Sequence, residues 1–198
     1  MINHKRSTTT VRPATTGDAS AIATLARGLL MHEQSLNETM GELAPWAAEA
    51  VEIEKQMRRP NTRFFVAENW GEIIGYIKVQ SHGLNPTREE IGLARWLLDR
   101  LERAARAILH FVLRRPRSNV EAMGGYIAGV FVRLESRRSN VGRMLVEAAE
   151  EWLRTRGIET TELHVLCANE EAVRFWKDAG YEPLALGMRK KLESTTRH

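Results

Sequence analysis

The run Arg137-Arg138-Ser139-Asn140-Val141-Gly142-Arg143 stands between a stretch of strand character and one of helical character. A helix that begins there leaves its first amide N–H groups without partners inside the helix, and the positive end of the helix dipole adds to them. Amides converging around Arg138 to Arg143 therefore make a place for a phosphate or pyrophosphate. The Gly-Lys followed by Ser or Thr of a nucleoside-triphosphate loop is absent, as is the dinucleotide fingerprint G-x-G-x-x-G. Those two classes of phosphate ligand are excluded.

The sole cysteine, Cys167, rules out an internal disulfide and a cysteine zinc cluster, so no metal site is expected. No His or Asp partner is placed for Cys167 by spacing, and it reads as a small buried apolar residue rather than a nucleophile. His164, inside a strand-like run, reads as a packed or surface histidine.

The elements that would position this loop follow from periodicity. Val11 and Arg12 close a short extended run, and Thr16-Gly17-Asp18 starts a helix carrying Ile22, Leu25 and Leu29 to about Gln34. Pro45 opens a second helix with Trp46, Ala50, Ile53 and Met57 on one face, ending before Pro60. Arg63 to Glu68 and Ile73 to Val79 form a hairpin, with Asn69 and Gly71 supplying the freedom of the turn. Apolar residues at threes and fours then predict one long helix over 89–112, ending before Pro116.

Gly124 to Val132 reads as a central strand buried on both faces, with Tyr126, Ala128, Val130 and Val132 on one and Ile127 and Phe131 on the other. After the arginine-rich loop, a helix buries Val141, Leu145, Ala148, Trp152 and Leu153 and stops at Gly157. Thr161 to Cys167 is a further strand, and Asn169 caps a helix whose inner face is Ala172, Phe175, Trp176 and Ala179 before Gly180. Leu184 to Leu192 suggests a last strand, and a flexible tail is expected over 193–198.

A chain of 198 residues with 43% hydrophobic and 27% charged residues suits a single globular domain, 1–198, and not a disordered one. No apolar run reaches the length of a membrane span and no leader-like segment opens the chain, so a cytoplasmic location and no membrane partner are expected. Lys and Arg exceed Asp and Glu by 29 to 25, a thin excess that suits an anionic ligand. A nucleic-acid partner would rest on that excess and the cluster Arg114, Arg115 and Arg117 alone, and none is expected.

With the loop and its flanks in view, the chain resembles the GNAT-type N-acetyltransferase superfamily. The family's acyl-CoA loop reads Arg or Gln, two residues, Gly, one residue, Gly or Ala; here Arg137 matches the first position, Asn140 stands at the first glycine and Gly142 matches the last. Asparagine tolerates left-handed backbone angles, so the exchange is compatible with the loop. Val130 and Val132 before it, and Asn169, Ala172, Phe175, Trp176, Gly180 and Tyr181 after it, keep the family's spacing.

The resemblance implies an α/β fold with a bent mixed sheet flanked by helices, its central strands splayed, and here an extra long helix inserted before the central strand. It implies acetyl-CoA as cofactor, its pantetheine arm bonded to backbone near Phe131 and Val132 in the splay, its phosphates on Arg137, Arg138, Ser139, Asn140, Val141, Gly142 and Arg143, and its chain held with help from Asn169. Direct transfer from the thioester to a primary amine of a small molecule or peptide follows.

Two positions depart from the family. Trp176 stands where a tyrosine often protonates the leaving thiolate, and an indole cannot do so. Tyr126 stands where many members carry a basic glutamate, and Glu68 and Glu121 are the acidic candidates for that role, with Tyr126 as a water-placing phenol or a wall of the substrate site. His32 and Glu33, near the end of the first helix, are placed where the family binds acceptors. Two readings stay open: an N-acetyltransferase, with a homodimer expected through the spare helix, or a catalytically weak or inactive acyl-CoA-binding regulatory or structural protein of the same fold.

Overall fold

The computed structural model describes residues 9–36, 49–82 and 124–188. The inserted helix over 89–112, Glu121, Pro45, Trp46 and the tail from Glu193 lie outside the described residues. The chain divides into two compact units, Met1–His164 and Val165–His198.

The first unit holds a five-stranded sheet in the order β1 (Thr10–Pro13), β2 (Thr62–Asn69), β3 (Glu72–His82), β4 (Gly124–Val132), β5 (Thr161–Leu163). The first four strands are antiparallel neighbours and β5 is parallel to β4, so the sheet is mixed. β5 is three residues long, shorter than the run expected to reach Cys167. Helices α1 (Ala19–Leu36) and α2 (Ala50–Met57) lie on one face and α3 (Val141–Arg154) on the other.

The hairpin turn departs from expectation in an instructive way. Asn69 is still paired in β2, and the two turn residues are Trp70 and Gly71, with φ of 54° and 79°. Two positive φ angles match the right-handed twist of the flanking strands. Trp70, 67% exposed, holds the conformation expected of asparagine or glycine.

The core of the α1 face is Ile22, Ala23, Leu25, Ile53, Phe64, Val66 and Tyr76, with Phe131 packed against it. The other face buries Val141, Leu145, Val146, Ala149 and Leu153 of α3 against the sheet. Val146 and Ala149 take the places that the helical spacing assigned to Ala148 and Trp152, which are half-buried. On β4, Gly125 is required by that packing: a Cβ there would stand 2.4 Å from Leu153 Cδ1 and 3.0 Å from Thr161 Oγ1.

The entry to α1 is fixed by one buried carboxylate. Asp18 accepts from the Thr15 backbone N–H at 2.7 Å and from Thr15 Oγ1 at 3.0 Å. Arg12 on β1 donates to both Asp18 oxygens, at 2.8 and 3.0 Å, and to Glu68 Oε2 at 2.8 Å. Three elements are thereby tied at one guanidinium. The bonds from Arg12 lower the Asp18 carboxyl from its ordinary 3.8 to about 2, against the opposing effect of burial.

The second unit contains α4 (Glu170–Asp178), capped by Asn169, whose Oδ1 accepts from the Ala172 N–H at 3.1 Å. Of the four residues expected to line its inner face, Trp176 is buried and Ala172, Phe175 and Ala179 are half-buried. Leu184 to Met188, the described part of the expected last strand, forms no strand, and Leu184, Leu186 and Met188 are exposed. Cys167 is exposed rather than buried.

Two stability predictions follow from this packing. Because the folded Asp18 carboxyl ionises at lower pH than the unfolded one, its contribution is complete above about pH 4 and is lost as pH falls through about 2. Asp18→Asn is expected to remove about 2 kcal/mol near neutral pH and to flatten the loss of stability between pH 4 and 2, read by urea unfolding across that range. Gly125→Ala, which drives a methyl into Leu153, is expected to cost about 1–3 kcal/mol in the same measurement.

Candidate active site

The alternation expected for β4 is broken at Ala128. Lys78 of β3 pairs with Gly129, and Val79 pairs with Ile127, so Ala128 is an extra residue opposite no partner. A bulge of this kind reverses the facing of everything beyond it. Val130 and Val132 consequently share the α3 face with Ile127, while Tyr126 and Phe131 share the α1 face. The expected grouping of Tyr126 with Val130 and Val132 is thus corrected. The packing agrees, for a Cβ on Gly28 of α1 would meet the Phe131 ring at 3.1 Å and one on Gly75 would meet Val132 Cγ2 at 3.2 Å and Leu145 Cδ1 at 3.3 Å.

The same bulge marks the end of pairing with β5, which reaches only from Gly125 to Ile127. Beyond it, Arg133 N donates to Ile74 O at 2.9 Å, so residues 133, 131 and 129 turn their backbone groups to β3. By alternation Val130 and Val132 turn theirs to the other side, where no described strand pairs with them. Val132 O on that side accepts from Arg137 Nε at 3.2 Å, and the Arg137 guanidinium lies 5.6 Å from the centre of the Phe131 ring.

After β4 the chain makes a short 3-10 turn, Leu134–Ser136, and then two left-handed residues, Arg138 at φ 59° and Asn140 at φ 66°. Asn140 occupies the position before α3 in the left-handed region, as the exchange for glycine requires, and its side chain forms no capping hydrogen bond. Ser139 Oγ instead donates to Ser136 O at 2.5 Å. The first-turn amides of α3 are left with no side-chain acceptor at the cap. Around them Arg138, Ser139, Asn140 and Arg143 are exposed, Gly142 is half-buried and Val141 is buried as the first residue of the helix. Arg143 Nε lies 3.3 Å from Glu147 Oε1. The loop thus offers an exposed, dipole-positive helix start flanked by arginines, which suits a diphosphate.

The expected basic residues fare differently. Glu68 is committed to Arg12 and sits on β2, with β3 between it and β4. Its carboxylate belongs to the structural network at the α1 entry, which corrects its assignment to acid–base chemistry. Tyr126 is half-buried on the α1 face, with Oη 3.0 Å from His164 Nδ1. His164 is exposed, and its ring meets that of Tyr126 edge-on with centroids 5.6 Å apart. His82, the last residue of β3, brings a third ring to 6.1 Å from Tyr126. Spacing along the chain gives no sign of this grouping of residues 82, 126 and 164, which only strand register creates.

Glu33 on α1 is half-buried, and burial raises its carboxyl above the ordinary value, an effect His32 partly offsets. Burial, with the negative charge of Glu33 second, pushes the Tyr126 phenol up. Tyr76, almost wholly buried, is pushed up by the same two causes. Burial and then Arg59 lower the ammonium of Lys78. In the second unit, Trp176 packs edge-on against Phe175 and Tyr181 at 5.0 and 5.1 Å, as part of an aromatic trio.

A family model described as acetyltransferase (GNAT) family matches residues 30–181. The chain belongs to this family. Among solved structures it is similar to a tetramutant of the BH1408 protein from Bacillus halodurans, at TM-score 0.70 and 16% identity over 92% of this chain and 99% of that one. It is similar also to the aminoglycoside N-acetyltransferase AAC(6')-Iy in complex with CoA, at TM-score 0.61 and 13% identity over 96% and 100%. A third is the aminoglycoside acetyltransferase meta-AAC0020 from an uncultured soil metagenomic sample, in complex with sisomicin, at TM-score 0.57 and 14% identity over 93% and 97%. At such identities these likenesses concern the fold. No curated protein sequence matches the chain. No helix among the described residues is long and apolar enough to cross a membrane, and no group of His, Cys, Asp or Glu among them could hold a metal ion.

The backbone of the loop gives a prediction of its own. Asn140→Val puts a β-branched residue at φ 66° and is expected to cost about 1–2 kcal/mol, while Asn140→Gly is expected to be neutral or stabilising. Urea unfolding of the two variants beside the parent chain checks both signs.

Proposed function

We propose that this member of the GNAT acetyltransferase family is an acetyl-CoA-dependent N-acetyltransferase whose acceptor is a primary amine of a small molecule or peptide. The observation that carries this reading is the coincidence of a β4 edge at Val130 and Val132, beside which no described strand pairs, with the uncapped start of α3. One offers extended backbone groups to an amide-bearing chain, as an added strand would, and the other offers amides and arginines to a diphosphate. Acetyl-CoA has both parts, and when bound it supplies the acetyl group as an activated thioester.

The residues of this chain then have separable tasks. The backbone at Val130 and Val132 aligns the cofactor chain, not that of Phe131, whose backbone groups turn to β3 and whose ring packs under α1. Arg137 anchors the end of β4 through Val132 O, and its charge, with those of Arg138 and Arg143, favours the anion. Ser139, Asn140, Val141 and Gly142 hold the amides in place, Asn140 through its left-handed backbone. On the α1 face Tyr126 faces the acceptor. A cationic acceptor fits the half-buried carboxylate of Glu33, and the aminoglycoside acetyltransferases of similar fold, one of them bound to sisomicin, support an amine-rich small molecule.

Calorimetric titration with acetyl-CoA and CoA tests the cofactor, and amine-dependent CoA release tests turnover. Micromolar binding is expected, and Arg138→Glu or Arg143→Glu is expected to weaken it at least about tenfold, more at low salt. Unchanged affinity in these folded variants would refute the placement of the phosphates. Binding with no release of CoA across an amine screen would assign the chain to the non-catalytic, acyl-CoA-binding reading.

A further inference from the structure

Three adjacent strands bring titratable side chains to one end of the α1-covered face. Register pairs Gln80 of β3 with Tyr126 of β4, and Tyr126 with Glu162 of β5. Two residues further along their own chains, His82 and His164 flank Tyr126 from opposite directions, because β3 runs antiparallel and β5 parallel to β4. At this end of the face, Tyr126 Oη lies 3.0 Å from His164 Nδ1, with the His82 ring on another side of the phenol ring.

The helix above completes the group. Leu29 Cδ2 is 3.5 Å from the position a Cβ would take on Gly129, next to the bulge, just as Gly28 lies on Phe131. Glu33 follows Leu29 by four residues, about 6 Å along the axis, in the direction in which the sheet contacts pass from Phe131 through Gly129 toward Tyr126. Its charge acts on Tyr126 and on Tyr76. Among the described residues, the charged and titratable groups on the elements about Tyr126 are Glu33 and His32 on α1, His82 and the half-buried Lys78 on β3, and Glu162 and His164 at or just past β5.

We propose that Tyr126 and His164 form a proton relay that deprotonates a cationic acceptor amine, the ammonium standing against Tyr126 Oη on the side of Glu33. The inference rests on the acetyl-transfer reading above and adds to it the charge of the acceptor and the route of its proton. In the step, one N–H proton of the ammonium passes to Tyr126 Oη while the phenol's own proton passes to His164 Nδ1. The products are a neutral amine with a free lone pair, an intact phenol and an imidazolium, with no change in electron count.

Each group suits its part. A tyrosine alone is a poor base, but this one is relieved of its proton as it receives another, so no phenolate accumulates. Burial and the charge of Glu33 keep the phenol protonated and hence a donor to His164. His164 is exposed and returns its proton to water. Glu33 favours the ammonium over the neutral amine at the point of entry. Tyr126 would be the catalytic residue and His164 a positioning and proton-accepting partner acting through it.

The test uses the full chain and two kinds of readout. In ligand-free protein, the imidazole nitrogen spectrum is expected to show His164 with Nε2 protonated and Nδ1 accepting a hydrogen bond, and Tyr126→Phe is expected to shift the Nδ1 resonance and mix the tautomers. A Nδ1 resonance indifferent to Tyr126→Phe would overturn the proposal whatever the acceptor. In turnover, sisomicin and spermidine serve as cationic acceptors and hydroxylamine as one that is uncharged at neutral pH. Tyr126→Phe and His164→Gln are expected to lower kcat/KM for the cationic acceptors at least about tenfold more than for hydroxylamine, and to abolish the fall in rate on the acid side of the pH profile. Equal losses on both kinds of acceptor, or an acid limb unchanged in both variants, would overturn the relay. Acetyl-CoA affinity measured by calorimetry separates the two failures: its absence in the parent chain refutes the acetyl-transfer reading, whereas its persistence in variants that fail the hydroxylamine comparison refutes the relay alone.

Discussion

The bulge at Ala128 is the constraint on which the site depends. One residue inserted into β4 opposite Lys78 and Val79 does two things at once. It inverts the facing of the strand's second half, and it coincides with the point at which β5 stops pairing. Without it, Val130 and Val132 would stand with Tyr126 under α1, and Phe131 would stand with Ile127 under α3. With it, Phe131 packs on Gly28 and receives the Arg137 guanidinium over its ring, and the outward backbone groups of Val130 and Val132 meet no described strand. Bulges are common where a sheet must redirect a side chain or end a pairing, and this one does both.

Holding such a strand in place falls to the packing on each side. Gly75 and Gly125 allow α3 to sit close to β3 and β4, with Leu145 and Leu153 occupying the space their side chains would take. On the opposite face Gly28 lets α1 approach Phe131, and α1 enters at a fixed angle because Asp18 is bound by Arg12 and Thr15. The bonds from Arg12 to Asp18 and Glu68 tie the first strand, the second strand and the helix start through one side chain. Glu33, far along the same helix, owes its position over the sheet to that entry.

Much of this was legible in the sequence, and the failures have definite physical causes. The order of strands and helices, the α3 loop with its left-handed Asn140 and the Asn169 cap follow from local signals: glycine and asparagine at turns, apolar spacing, a capping side chain. The facing of β4 was not legible, because a bulge is decided by the partner strand and leaves the period-two pattern of Gly124–Val132 looking unbroken. Trp70 gives no local sign of its left-handed conformation for a related reason: the hairpin register places the turn, and the residue found there accepts the conformation it is given. Glu68 looked available as an acid because nothing local reveals that Arg12, 56 residues away, reaches it. His82, Tyr126 and His164 were scattered letters until three strands aligned them.

The aligned strands also give the molecule an electrical direction. Arg137, Arg138 and Arg143 stand after the C-terminal end of β4, while Glu33, Glu162 and the two histidines surround Tyr126 near its start. Between the pairs Gln80–Tyr126 and Gly75–Val132, β3 advances five residues, about 17 Å at roughly 3.3 Å per residue. That is about twice the Debye length at physiological ionic strength, so arginines that attract a polyanion at one end do little to repel a cation at the other. For the proposed transfer, this separation would let a polyanionic donor and a cationic acceptor be held at once. An extended strand supplies it more economically than a compact cluster, since its own backbone spans the interval and its bulge marks the place between the two ends.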